Sequence, residues 1–224
     1  MNVALGVMAR APSAPGKTRL APHFSAGDLR ALQRALVIDT LTVACATEGV
    51  DPIVFVTPDE AVDEIVSLAQ RALPMVAQGC GDLGERMRRA IKYLIVDRSC
   101  EAAILIGTDV PLLTAAHLDE ATVALRSGTQ LVLGPADDGG YYLIGMTRVI
   151  DAMFDGIEWG TDRVLSQTTA VADRAGIRIH MTGSLYDVDT IDDLRRADSD
   201  LRQATSSTCE ALRRFLATNG TPLA

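Results

Sequence analysis

The 224-residue sequence holds only four cysteines, three histidines and one tryptophan. Cys45, Cys80, Cys100 and Cys209 show no C-x-x-C spacing and no close pairing with histidine, which predicts reduced, mostly buried thiols suited to a reducing cytosol. Positive charge is also scarce. A net charge of −8 and a pI near 4.8 exclude a general nucleic-acid binder, because phosphate backbones select basic surfaces. Few cations still suffice for one nucleotide if they converge. The N-terminal apolar run is short, has no basic segment before it and runs straight into Arg10, so it reads as a core strand rather than a signal peptide or membrane span. Internal repeats, low-complexity tracts and linkers are missing as well. Hydrophobic residues make up 48% and charged residues 22%, which fits one compact domain with a sizeable core and a cytoplasmic location.

Short apolar runs alternate with longer amphipathic segments. Residues 2–9, 52–57, 74–77, 102–107, 130–134, 141–146 and 177–181 read as strands. Ser25–Glu48, Thr57–Arg71, Asp82–Asp97, Thr114–Arg126, Thr161–Ala175 and Thr190–Ala204 read as helices. Thr57 with Pro58 and Glu60, Asp82 with Glu85, and Thr190 with Asp193 have N-cap spacing, while Gly49 and Gly128 fall where left-handed C-terminal caps belong. Near-continuous apolar strands between helices imply an α/β domain with a mostly parallel sheet covered on both faces. The expected division is one domain over 1–205 and, over 206–224, a weak final helix with a frayed end.

Ligands of such sheets bind beyond the carboxyl ends of the strands. The loop after the first strand, "APSAPGKTRLAP", therefore matters, and it resembles a P-loop at "GKT". Three features argue against that reading. Ala11 replaces the first glycine, Pro12 and Pro15 remove two N–H donors, and Pro22 interrupts a helix begun at Lys17. The remaining alternatives are a solvated basic loop or a loop whose side chains hold phosphates. In an extended segment Lys17 and Arg19, flanking Thr18, point to one side and suit a polyphosphate.

Two other strand ends carry carboxylates. "AAILIGTDVPLL" places Asp109 after a buried strand, and "LYDVDTIDDL" places Asp187 and Asp189 on the same side of an extended segment. Asp109 with one or both of these suits a divalent cation that also binds phosphate oxygens, whereas Asp187 and Asp189 also read as turn and capping residues. Asp137-Asp138-Gly139-Gly140 reads either as a hairpin turn or as a close approach to an acceptor beside Tyr141 or Tyr142. Gly79, Gly81 and Gly84 surround a helix N-terminus that could face a nucleotide. Trp159 reads as a core anchor, and His23, His117 and His180 as loop, helix-face and strand residues.

Taken in order, "APSAPGKTRLAP", "GDLGERM", "LIGTDVPLL", "LGPADDGGYYLIGM", "IEWGTDRVL" and "LYDVDTIDDL" resemble the glycosyltransferase-A-like family DUF2064, labelled transferase 1, radical-SAM/selenodomain-associated, across about residues 1–200. The opening third, through "KTRLAPHFSAGDLRALQRALVIDTL", is also similar to 2-phospholactate or phosphoenolpyruvate guanylyltransferases. The resemblance implies the GT-A (nucleotide-diphospho-sugar transferase) fold, a three-layer α/β/α sandwich. By the same resemblance, Lys17, Thr18 and Arg19 contact the triphosphate; Ala9, Pro15, Gly16, Gly81, Asp82 and Thr108 are expected to join them in binding nucleotide, with Lys17, Arg19 and Asp109 the expected catalytic residues. The resemblance also gives Asp109, with Asp187, Asp189 or both, to Mg²⁺ or Mn²⁺, while the glycine-rich turn itself makes Asp137, Asp138, Gly139, Gly140 and Tyr141 the expected acceptor contacts. The guanylyltransferases carry a different glycine-rich acceptor segment where this chain has "ADDGGYYLIG", so the resemblance does not by itself assign their phosphoacid substrate here.

Two enzyme readings share these residues. In nucleotidyl transfer an acceptor phosphate or carboxylate attacks the α-phosphorus of a nucleoside triphosphate and pyrophosphate leaves. In glycosyl transfer from a nucleotide sugar, Asp137 or Asp138 would activate an acceptor hydroxyl. The Lys/Arg loop favours nucleotidyl transfer, because pyrophosphate needs more cation than a sugar diphosphate. A nucleotide-binding regulator without catalysis is the third reading. Expected partners are a nucleoside triphosphate or nucleotide sugar and a small acceptor, with no nucleic acid and no membrane; a homodimer is compatible with the sequence.

Overall fold

The computed structural model describes residues 1–204 and 209–220. All seven apolar runs form strands: β1 (Val3–Arg10), β2 (Val50–Thr57), β3 (Met75–Ala77), β4 (Ala102–Ile106), β5 (Leu131–Pro135), β6 (Tyr141–Met146) and β7 (Ile179–Met181). They make one sheet in the order β3-β2-β1-β4-β6-β5-β7. Only β6 runs antiparallel to its neighbours β4 and β5. The reversal follows from the tight 137–140 turn, which returns the chain directly beside β5.

The helices are α1 (Ala26–Ala46), α2 (Val62–Val66), α3 (Leu83–Lys92), α4 (Ala115–Arg126), α5 (Val164–Arg174), α6 (Ile191–Gln203) and α7 (Glu210–Asn219). Ser25, Asp82 and Thr190 each close a capping box, with Asp28, Glu85 and Asp193 respectively. Gly49 and Gly128 have φ of +72° and +89°, as the sequence leads one to expect.

Two helix expectations need correction. Thr57–Arg71 is not one helix: a 3₁₀ turn, Asp59–Ala61, precedes the five-residue α2. Thr57 cannot cap a helix because it remains the last residue of β2, opposite Arg10 of β1, and its carbonyl accepts from Ala11 N–H at 2.8 Å. The segment 82–97 is α-helical only to Lys92, then widens into a π-turn over Tyr93–Asp97 that keeps Leu94 buried.

Alternation along the central strands sends side chains to two cores. Val7, Val54 and Ile106 face one layer with Val37 and Leu41 of α1 and Leu118 of α4. Phe55, Leu105 and Ile144 face the other with Met87 and Ile91 of α3 and Ala172 of α5. This is a three-layer α/β/α sandwich. A third core joins Leu32 and Leu36 of α1 to Leu194 of α6 and Leu212, Phe215 and Leu216 of α7. The C-terminal helix is therefore packed, and Asp39 of α1 anchors it by accepting from the N–H groups of Ala211 and Leu212 at 2.9 and 2.8 Å. The expected frayed end and the boundary near 205 fall on 205–208 and 221–224, outside the described residues.

Of the four cysteines only Cys209 is buried and Cys80 is exposed, which corrects the expectation of mostly buried thiols. Among the described residues no helix is long and apolar enough to cross a membrane.

Candidate active site

The site is built where β1, β4 and the segment after β7 end together. Val188 N–H donates to Asp109 O at 2.9 Å, and this bond docks the 187–189 segment against the end of β4. Val188 itself is fully buried, so period-two geometry turns Asp187 and Asp189 to the same side, into a cleft of about 290 Å³ that Asp109 also lines.

Lys17 enters this cluster from the loop after β1. Its Nζ lies 3.1 Å from Asp109 Oδ1 and 2.9 Å from Asp189 Oδ1, and it donates to Val188 O at 2.7 Å. The side chain is only 3% exposed. Burial opposes its charge, but Asp109 and Asp189 outweigh burial and hold Lys17 protonated above its ordinary range. The carboxylates still exceed the cation. Burial, then the charges of Asp109, Asp138 and Asp189, push the Asp187 carboxyl up to about 7, against the opposing effect of Lys17.

An excess of hard oxygen donors around a single ammonium fits a divalent cation. Among the described residues, however, no three His, Cys, Asp or Glu side chains are placed to hold a metal ion by themselves. The expected trio of Asp109, Asp187 and Asp189 is therefore not a complete cage. One or two of them with phosphate oxygens match the usual manner of Mg²⁺ binding.

The loop does not present Lys17 and Arg19 together. Lys17 has φ of +52°, and N–H groups of Leu20, Ala21 and His23 bond to the carbonyls of Lys17, Thr18 and Leu20, so the segment turns rather than extends. Pro15, Gly16, Lys17 and Thr18 line a hollow of about 390 Å³ with Arg10 and Thr108. Arg19 instead lines a separate hollow of about 240 Å³ with Asp137, Asp138, Asp187 and Arg196. Turns replace the P-loop's helix, and α1 starts only at Ala26.

Several expected ligand contacts are engaged in structure. Ala9 is fully buried and its carbonyl accepts from Gln78 Nε2 at 3.3 Å. The Asp82 carboxylate accepts from Glu85 N–H at 2.8 Å at the start of its own helix, and Gly81 precedes it at φ +108°. Asp137 accepts from Arg196 Nη1 at 2.8 Å and Ser184 Oγ at 2.9 Å, and the Arg196 bond holds its carboxyl below the usual range. Asp138 accepts from Gly140 N–H at 2.8 Å and is otherwise exposed. Gly139, at φ +87°, packs its backbone so closely on Asp162 that a Cβ would overlap the Asp162 carbonyl. Gly139 thus serves the turn's packing against the 161–165 segment. The Tyr141 hydroxyl is buried on the side of Thr168, and its ring meets Trp159 edge-on at 6.3 Å. Trp159 in turn rests on α3 where Gly84 leaves room for the indole.

Sequence reasoning passed over Arg10, Gln78, Arg86 and Arg196. Arg10 carries the same signal as Asp109, a charge ending an apolar strand. Gln78, Arg86 and Arg196 carry no sequence signal, since only folding brings them to the cleft and its neighbouring hollow.

Residues 40–161 match the family model described as "Uncharacterized protein conserved in bacteria (DUF2064)". The chain belongs to this family. It is also similar to the phosphoenolpyruvate guanylyltransferase of Conexibacter woesei, with 26% identity over 91% of this chain and 92% of the relative. Identity to the enzyme of the same name from Mycobacterium sp. (strain KMS) is 30%, over 82% of this chain and 81% of the relative. A crystal structure from Desulfovibrio desulfuricans G20, provisionally assigned as a nucleotide-diphospho-sugar transferase, aligns with a TM-score of 0.86 at 28% identity over 96% of both chains. The DUF2064 chain therefore has the GT-A-like, nucleotide-diphospho-sugar transferase fold.

Proposed function

We propose that this DUF2064 protein is a metal-dependent nucleotidyltransferase, joining a nucleoside monophosphate from a nucleoside triphosphate to a small phosphorylated or acidic acceptor. The observation that carries the reading is the seat of the Lys17 ammonium between Asp109 and Asp189, beside Asp187, at the junction of two adjoining hollows. Guanylyltransferase relatives along most of the chain support it.

Bound with the nucleotide, Mg²⁺ or Mn²⁺ would neutralise phosphate charge through Asp109 and one or both of Asp187 and Asp189. Lys17 and Arg10 flank the hollow formed by Pro15, Gly16 and Thr18, and they stabilise the charge that builds on departing pyrophosphate. Arg19 and Asp138 border the adjoining hollow, which serves the acceptor, an oxygen of which attacks the α-phosphorus. The new P–O bond forms as the bond to the β-phosphate oxygen breaks.

Glycosyl transfer is the second reading, supported by the structural relative's assignment. Asp137 is held by Arg196 and Ser184, which leaves Asp138 as the base that reading requires. Incubation with Mg²⁺, each nucleoside triphosphate and a panel of phosphorylated acids, followed by pyrophosphate detection, tests the proposal. Acceptor-dependent pyrophosphate release is expected. Transfer from nucleotide sugars alone would replace it with the glycosyl reading.

A further inference from the structure

The buried face of α1 carries three polar side chains, Gln33, Asp39 and Thr40. Two of them serve the fold. Asp39 accepts from the N–H groups of Ala211 and Leu212, and the Thr40 hydroxyl donates to Leu36 O at 3.0 Å. Gln33 is only 9% exposed, yet its amide has no hydrogen-bond partner among the described residues. Buried amides are paired as a rule, because an unpaired one forfeits the hydrogen bonds that water gave it. Gln33 is the exception on this helix.

The amide reaches the loop after β1. A Cβ on Gly16 would overlap Gln33 Nε2, so glycine at this position is what admits the amide beside the loop backbone. Arg10 approaches the same point, with its Cδ 3.6 Å from where that Cβ would lie, and its Nη1 donates to Pro15 O at 2.9 Å. Gln33, Arg10, Gly16 and Thr18 all line the hollow of about 390 Å³. Lys17 lines it too, but the three N–H groups of its ammonium are taken by Asp109 Oδ1, Asp189 Oδ1 and Val188 O. Lys17 thus supplies charge to the hollow without a free donor. Gln33 Nε2 carries two N–H groups, and among the described residues neither is engaged.

We propose that Gln33 is a phosphate-binding residue whose Nε2 donates to the pyrophosphate end of the nucleoside triphosphate. The two groups divide the work by their chemistry. An ammonium saturated by carboxylates acts on phosphate through its field, whereas a neutral amide adds directed N–H bonds without changing the net charge. Phosphate oxygens accept such bonds, and binding gives the buried amide its partner. Gly16 and Gln33 work as a pair, since a side chain at residue 16 would displace the amide. Gln33 lies before residues 40–161, which match the family model, so family membership assigns it no role. The inference rests on the nucleotidyltransferase reading, which places pyrophosphate in this hollow, and adds a binding group that reading does not use.

Isothermal titration of the full chain with Mg²⁺ and inorganic pyrophosphate, each nucleoside triphosphate or each nucleoside monophosphate tests it, beside thermal denaturation without ligand. Gln33→Met keeps the reach of the side chain and removes the amide. It should weaken pyrophosphate and triphosphate binding by about 3–10-fold, as loss of one neutral hydrogen bond does, and leave monophosphate binding unchanged. The unliganded Tm should stay level or rise, because an unpaired amide leaves the interior. Gln33→Asn, which withdraws the amide by one methylene, should also weaken pyrophosphate binding. Pyrophosphate binding at wild-type strength in either folded variant overturns the inference and leaves the transferase reading standing. So does a fall in Tm with pyrophosphate and monophosphate weakened alike, which would make Gln33 a structural residue. If the wild-type chain binds neither pyrophosphate nor any triphosphate, the transferase reading itself fails, and the Gln33 assignment with it.

Discussion

Lys17 Nζ lies 2.9 Å from Asp189 Oδ1, a contact that joins the loop after the first strand to the segment before α6 across 172 residues of sequence. The ammonium is almost wholly buried, while Asp189 and Asp109 remain 48% and 49% exposed. The cation is thus held inside and its counter-charges face the cleft.

Replacing it exposes that asymmetry. Lys17→Met leaves the carboxylates to water, so the stability lost should be about 1–2 kcal/mol rather than the roughly 3–5 typical of a fully buried broken pair. For a chain of this size that is a fall in Tm of roughly 2–8 °C by differential scanning fluorimetry, part of it restored by millimolar Mg²⁺. Pyrophosphate release should drop at least about 100-fold.

Asp109→Asn and Asp187→Asn address the metal. At a nucleotide concentration about 100 times its dissociation constant, wild-type protein should gain ~2.7 kcal/mol with Mg²⁺ present. Each variant should lose most of the Mg²⁺-dependent part of that gain. A thermal shift that survives unchanged in both variants would sink the metal assignment.

Gly139 and Gly140 should behave differently despite being adjacent. Gly139→Ala combines φ +87° with overlap on the Asp162 carbonyl and is expected to cost at least about 2 kcal/mol in chemical denaturation. Gly140 has no positive φ, and its nearest neighbour is the movable Asp138 side chain, so Gly140→Ala should cost less than about 1 kcal/mol.

Asp39 gives the pH dependence its sign. Burial raises its carboxyl above the ordinary range, and the Ala211 and Leu212 N–H bonds only partly offset this. The folded state therefore binds this proton more tightly than the unfolded chain. The stability that protonation contributes is present at low pH and is lost as pH rises through the folded-state pKa. Relative to Asp39→Asn, wild-type protein should gain stability as pH falls through the carboxylate range, measured by urea denaturation at a series of pH values.

The fold was largely legible because its strands are continuous apolar runs and its caps are local. Asp82 with Glu85, and Thr190 with Asp193, need only neighbours three residues away. Thr57 misled for the opposite reason, since its partner is Arg10 on a distant strand, and sheet pairing overrode a cap that local spacing favoured.

At the site, sequence alone determined that Asp109, Asp187 and Asp189 end segments on one edge of a parallel sheet, because strand ends and period-two alternation are properties of short stretches. Only tertiary structure decided what those charges meet. It buried Lys17 among them, sent Arg19 to a different hollow, engaged Asp137 with Arg196 and brought Gln78 and Arg86 to the cleft. Each of these depends on turns or on contacts between elements remote in sequence, and buried charge takes its partners from the three-dimensional arrangement rather than from residue spacing.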